Sequence, residues 1–528
     1  SILRLTGVWV LLFSLVTLPT LADETRTTGI LATGTPFETR WHLFDSGEAG
    51  PTVVITGGMH GNEPAGVRAA RQISGWTVSR GRLVVVPRLN EPALAAQQRR
   101  IPGLTDDAGD LNRHFPRRDG EAAPTSEQGA RIWAFVCAQE PDVLVDLHEG
   151  YGVRAAGSKS VGSSVLTLRA EDQAHQQMML DAVNVEIDDP KQRFTDIDSI
   201  VAGSLSRAAI EQLGIEAHIL ETTHQGQPLS VRCRQHRRMV AALLVELEMA
   251  DASVGTLINH DDDKVKVALY DGPGAGGDPQ GRLFERILSN YRVERIGPAD
   301  VADGALGQFD AVLFPGGSGS GQGKALGESG RAEVCRFIDS GGGYMGVCAG
   351  AYLALHNYDW GLKLLPFDSH DRKHWRRGKG TVVMETTAAA ESILGLDPRK
   401  SLEIHFAQGP LMVPATGSDL PEPEVLCYFR SGIGIDGADP ETMVDTPAIV
   451  AGRYGSGRVI LFSPHPEKTT GLETLIERAA LWGANAPSPV RRRRRSIKPS
   501  GTRQRRSGSR LATFRSSTFT HSIASGRR

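Results

Sequence analysis

Three side chains in this sequence have the types and spacing to grip a metal ion. His60 and Glu63 stand three apart in Gly57-Gly58-Met59-His60-Gly61-Asn62-Glu63-Pro64, a glycine-rich turn after the apolar run Thr52 to Thr56. His148 closes a second apolar run, Val143-Leu144-Val145-Asp146-Leu147-His148-Glu149. Zinc takes both imidazole and carboxylate ligands, and catalytic zinc sites use three protein ligands with a fourth position left open. One zinc per chain is therefore expected on His60, Glu63 and His148. Such an ion polarises a carbonyl and makes water nucleophilic at neutral pH.

The elements that must position these ligands read as strand ends. Thr52–Thr56, Leu83–Pro87, Val143–Leu147 and Ala217–Glu221 are apolar runs of strand length. They alternate with amphipathic stretches over Pro64–Ile73, Ser126–Gln139, Ala174–Val183 and Ile200–Leu213. This alternation predicts an α/β sheet, whose ligands bind beyond the carboxyl ends of the strands. His60, Glu63 and His148 fall at such ends.

Two further stretches fit the same chemistry. Asp110-Leu111-Asn112-Arg113 lies between the two ligand motifs, and Glu221 ends the run Ile219-Leu220-Glu221. The ordered set resembles the zinc carboxypeptidase superfamily, in its succinylglutamate desuccinylase and aspartoacylase branch, over about residues 27 to 250. The resemblance implies that Glu221 is the general base and that Asn112 and Arg113 bind a substrate carboxylate. Arginine suits that role, because its planar fork gives two parallel hydrogen bonds. A second arginine that polarises the scissile carbonyl is usual in the family, and Arg99 or Arg100 can supply it. Glu149 competes with Glu221, but neighbouring strand residues face opposite ways, which points Glu149 away from the metal. Asp146 shares the strand face of His148 and can orient its ring.

A second α/β pattern begins near residue 264, with strands over Val265–Leu269, Ala311–Phe314, Gly343–Val347 and Val459–Phe462. Two glycine-rich loops here, at residues 271–277 and 315–319, lack the Gly-Lys-Ser/Thr ending of a nucleotide loop. Gly346-Val347-Cys348-Ala349-Gly350 places a cysteine on a sharp strand-to-helix turn, and Ser463-Pro464-His465-Pro466-Glu467 follows a later strand. Cys348, His465 and Glu467 resemble the triad of the glutamine amidotransferase-like fold. The closest likeness is to the N-terminal domain of biotin-protein ligases, over about residues 264 to 484. The resemblance implies a flavodoxin-like sheet, with Gly316 and Gly317 able to offer N–H groups to an oxyanion. Tyr352 stands where working glutaminases carry Gln, so glutamine chemistry is not expected.

The remaining expectations concern organisation. Residues 1–22 read as an export signal: Arg4, a short apolar run from Val8 to Leu18, then Thr20-Leu21-Ala22. That run is too short to span a bilayer, so an exported protein with no stable membrane span is expected. Residues 251–263 read as a linker, and residues 485–528 as a basic disordered tail. Residues 491–528 hold thirteen Lys or Arg and no acid, against a formal net charge of -2 for all 528 residues. The body is thus acidic, and no nucleic-acid partner is expected. Five scattered cysteines give no disulfide framework.

The expected architecture is α/β in two domains, a zinc-carboxypeptidase-like sheet over 23–250 and an amidotransferase-type domain over 264–484. The expected function is zinc-dependent hydrolysis of an amide, as deacylase or carboxypeptidase, on a small acyl-amino acid or peptide bearing a free carboxylate. The alternatives are a cysteine hydrolase in the second domain, or a non-catalytic zinc-containing binding protein.

Overall fold

A computed structural model describes residues 24–118, 123–258 and 263–485. The expected export signal and nearly all of the basic tail lie outside the described residues. Among the described residues no helix is long and apolar enough to cross a membrane.

The first region is an eight-stranded sheet. Its strands run Thr25–Leu31, Thr39–Asp45, Arg82–Val86, Thr52–Gly57, Val143–Gly150, Glu216–Thr223, Ser164–Leu166 and Thr195–Ile197 in spatial order. The four at its centre, Arg82–Val86 to Glu216–Thr223, are parallel. Thr52–Gly57 and Val143–Gly150 are buried along their whole length. Their unbroken apolar runs reflect a parallel sheet covered on both faces. Val53 and Ile55 pack under helices Pro64–Ile73 and Leu229–Glu246, while Val54 faces Ile132 and Val136 of helix Glu127–Ala138.

The second region is a nine-stranded sheet. Five parallel strands, Arg292–Ile296, Lys266–Tyr270, Ala311–Phe314, Gly343–Val347 and Gly457–Phe462, lie in the sequence order 2-1-3-4-5 expected of a flavodoxin-like sheet. Four antiparallel strands extend it: Pro447–Tyr454, Glu424–Phe429, Lys379–Thr386 and Ser401–Ala407. The two outermost strands of this extension, Lys379–Thr386 and Ser401–Ala407, alternate in burial and so offered no apolar run.

Residues 251–258, expected to begin a linker, are packed. They form a 3-10 turn with Val254 and Ile258 buried. The indole Nε1 of Trp76 donates to Leu257 O at 3.0 Å. The two sheets also meet through ion pairs. Arg68 Nη2 reaches Glu285 at 2.7 Å and Arg71 Nη2 reaches Glu294 at 2.5 Å. Arg234 and Arg237 share Asp300 Oδ1 at 3.1 and 2.5 Å. Glu294, Arg237 and Asp300 are all at most 1% exposed. Arg68, Arg71 and Gln72 lie on the helix that starts directly after Glu63, so the turn that carries His60 and Glu63 is anchored to the second region.

Candidate metal centre

The turn after Thr52–Gly57 needs its glycines. Gly58 has φ +73°, and a Cβ on Gly61 would lie 1.9 Å from Ala93 O. No larger residue at these positions lets the chain reverse tightly enough to aim His60 and Glu63 at one point.

His60, Glu63 and His148 are brought together, with one ligand atom from each lying within 4.8 Å of the others. Nδ1 of His60 is 2.8 Å from Glu63 Oε1, Nδ1 of His148 is 3.0 Å from Glu63 Oε2, and the two Nδ1 atoms are 3.2 Å apart. The outer nitrogens fix the tautomers. His60 Nε2 donates to Asp110 Oδ1 at 3.0 Å, and His148 Nε2 donates to Asp146 Oδ2 at 2.7 Å. Thr56 Oγ1 donates to the other oxygen of Asp146 at 2.6 Å. An ionised carboxylate only accepts, so each Nε2 carries a proton and each neutral ring turns a lone pair inward. Two imidazole lone pairs and a carboxylate then face one another in a buried space. Such a set is stable only around positive charge.

The titration behaviour says the same. Burial works against charge on both rings, yet Glu63, Asp110 and Asp146 outweigh it and raise His60 and His148, the latter strongly. Burial likewise opposes ionisation of Glu63, but the two histidines hold its carboxyl well below the usual range. A divalent cation supplies the charge that protons otherwise bring. The donor set therefore fits zinc, with two nitrogens and a carboxylate from the protein and an outer acceptor behind each ring. Asp146→Asn is expected to weaken zinc binding about 10–100-fold, read by competition with a chromogenic chelator.

Glu221 lies beside His148 in register on the adjacent parallel strand. It is 9% exposed, and its Oε2 is buried with no hydrogen-bond partner among the described residues. Burial pushes its carboxyl up to about 8. Glu149 is turned away. It accepts from Ala65 N at 2.6 Å and pairs with buried Arg232, while its own N–H donates to Glu63 Oε2 at 3.2 Å.

Of the two candidate second arginines, Arg99 reaches the centre and donates from Nη1 to Glu63 Oε1 at 2.8 Å. Arg100 instead donates to Asp106 O. Asn112 is buried, and its Oδ1 accepts from Leu205 N. Arg113 donates to the backbone O of Asn112 at 2.8 Å and lies 3.7 Å from Asp110, leaving most of its five N–H groups available. A cavity of about 800 Å³ beside it is lined by Phe37, Ile101, Leu104 and His114. Asp110 is the residue whose role sequence reasoning missed. Its stretch pointed only to Asn112 and Arg113, whereas Asp110 itself bonds the His60 ring.

In the second region Cys348 takes φ +50°, ψ −96° at the end of Gly343–Val347. Its thiol lies 3.5 Å from Ala407 O. His465 Nδ1 donates to Glu467 Oε1 at 2.7 Å, and both residues are buried. Burial pulls His465 down, but the neighbouring Cys348 thiol and Glu467 outweigh it and push it up to about 9. His465 Nε2 has no formed hydrogen bond among the described residues, so the thiol is a close neighbour and not yet a bonded partner. A Cβ on Gly316 would lie 3.0 Å from His465 Cε1 and 3.8 Å from Cys348 Cβ, which puts that glycine beside the pair. Tyr352 packs edge-on against Tyr358.

Comparison with known proteins agrees with this division. Residues 49–247 match the succinylglutamate desuccinylase/aspartoacylase catalytic domain, and residues 265–365 match biotin-protein ligase, N terminal. Over 104 residues the chain is 38% identical to N-alpha-acetyl-L-2,4-diaminobutyric acid deacetylase of Halomonas elongata, a match covering 19% of this chain and 29% of that protein. Among solved structures, the mDAP-bound form of Helicobacter pylori Csd4, a D,L-carboxypeptidase, is 22% identical with a TM-score of 0.34, covering 38% of this chain and 52% of that one. A succinylglutamate desuccinylase/aspartoacylase from Rhodobacter sphaeroides is 19% identical with a TM-score of 0.31, covering 44% of this chain and 68% of that one. The similarity thus spans under a third of the deacetylase and about half of the carboxypeptidase. On the two domain matches, this chain carries a catalytic domain of the succinylglutamate desuccinylase/aspartoacylase family followed by a biotin-protein ligase N-terminal domain.

Proposed function

We propose that the first domain is a zinc-dependent amide hydrolase acting on an acyl-amino acid or peptide with a free carboxylate. The observation that carries this reading is the convergence of two imidazole Nδ1 atoms and both Glu63 oxygens on one buried point, with an acidic acceptor behind each ring. Zinc held by His60, Glu63 and His148 would supply Lewis acidity and an activated water.

The protein's own groups do the rest. Glu221 takes the proton of the attacking water and returns it to the leaving amine nitrogen, a task suited to a buried carboxylate of raised pKa. Beside a bound cation Glu221 would ionise more readily and so be ready to accept that proton. Arg99, whose Nη1 reaches Glu63 Oε1, would hydrogen-bond the carbonyl oxygen as negative charge develops on it. Arg113, with Asn112 beside it, holds the substrate carboxylate and so fixes which amide is presented. Asp110 and Asp146 keep the rings aimed inward.

A screen of N-acyl amino acids and short peptides with zinc-loaded protein tests this reading. Turnover that vanishes on chelation and returns with zinc supports it. Saturable binding without turnover favours the zinc-containing binding protein instead.

A second reading is favoured by the left-handed backbone of Cys348 beside a buried His465–Glu467 pair. Here the second domain performs its own cysteine-dependent hydrolysis, on a substrate other than glutamine. Activity lost on alkylation of Cys348 but kept in His60→Ala would favour it. Export, read from residues 1–22, is part of the proposal and is tested by cell fractionation.

A further inference from the structure

A cavity of about 540 Å³ lies between the two sheets. One wall is the metal-ligand turn itself, with Gly61, Asn62 and Pro64, joined by Gln97 and by His224 three residues after Glu221. The other wall is helix Asp278–Ile287 of the second domain. Gly61, Asn62 and Pro64 flank the ligands His60 and Glu63 in the chain, so the cavity adjoins the metal centre.

Its charges are not equally free. Arg68 and Arg71 are tied to Glu285 and Glu294, Arg88 by two bonds to Glu91, Arg232 to buried Glu149, and Arg295 to Glu285 and Asp278. Arg282 differs. Its side chain is 59% exposed and its recorded partner is Asp278, one turn earlier on the same helix. Asp278 is already held by Arg295 Nη1 at 2.6 Å. Arg282 can therefore swing to a ligand without leaving a carboxylate unpaired. An exposed pair on one helix turn holds it only weakly. A guanidinium released in this way suits a carboxylate. The volume decides the size of the ligand. Pockets of about 300–1,000 Å³ enclose drug-sized ligands, far larger than an acetyl group.

We propose that this interdomain cavity is the acyl-side subsite of the metal centre, that it takes a short acidic peptide, and that Arg282 of the second domain clamps the peptide's side-chain carboxylate. The proposal rests on the hydrolase reading for the word acyl-side, but its test does not need turnover. The second domain then selects substrates for the first, and the enzyme acts on peptides in preference to simple acyl-amino acids.

The test is calorimetric binding of Ac-Glu-Gly and its neutral isostere Ac-Gln-Gly to the zinc-loaded full chain. Wild type is expected to bind the acidic peptide about tenfold more tightly. Arg282→Ala is expected to lose that preference, and Arg286→Ala, an exposed arginine on the same helix outside the cavity, to keep it. Equal affinities in wild type, absence of binding, or a preference that survives Arg282→Ala would overturn the proposal. A preference without hydrolysis of any amide leaves the subsite standing and removes the hydrolase reading. Hydrolysis of acyl-amino acids without a preference does the reverse.

Discussion

Glu221→Gln is expected to lower kcat by about 10²–10⁴-fold while leaving zinc content unchanged. The substitution keeps shape and a hydrogen-bonding end but removes the ability to accept a proton. The Oε2 atom of Glu221 is buried and unpartnered among the described residues. Keeping a carboxylate buried without a partner costs stability, and that cost is typical of a group retained for its chemistry. The position next to His148 on the adjoining strand puts it beside the proposed ion without making it one of the ligands. Steady-state kinetics and elemental analysis on the same preparation check both halves of the expectation. A fall smaller than tenfold with zinc retained would move the base elsewhere.

Asp300→Ala is expected to destabilise the protein by about 3–5 kcal/mol. Asp300 is 1% exposed and serves two arginines, Arg237 and Arg234. Arg237 is fully buried, and without Asp300 it keeps Gln72 Oε1 and Gly255 O, neither of which carries a charge. Asp300 also accepts from Gly297 N at the start of its own helix. Breaking one side of a buried pair leaves an uncompensated charge, which is why the loss exceeds the net worth of the pair. Chemical denaturation followed by tryptophan fluorescence reads the shift, since Trp76 sits at the same junction. A shift below about 1 kcal/mol would mean that water reaches Arg237 and replaces the lost partner.

The convergence of His60, Glu63 and His148 was legible in the sequence, because they follow or end mostly apolar strands whose carboxyl ends are where an α/β sheet binds. His60, Glu63, His148 and Glu221 each stand within a few residues of such an end. What packs behind them was less legible. Nothing in the spacing shows that Asp110 turns to His60, or that Arg99 and not Arg100 reaches the site, because both follow from loop paths. Helix Leu229–Glu246 was invisible for a related reason. Its Arg232, Arg234 and Arg237 are buried, which no amphipathic pattern anticipates, and their partners Glu149 and Asp300 lie far away in sequence. The outermost antiparallel strands of the second sheet, Lys379–Thr386 and Ser401–Ala407, alternate in burial, so they offered no apolar runs to read.

The most direct measurement is the metal content of the purified full chain, compared with His148→Gln whose fold has been checked by circular dichroism. One zinc per chain is expected in the wild type, with loss of nearly all of it in the folded variant. Wild-type protein that takes up no zinc from a buffered excess, or a His148→Gln variant that holds zinc as tightly, would contradict a metal centre built on His60, Glu63 and His148.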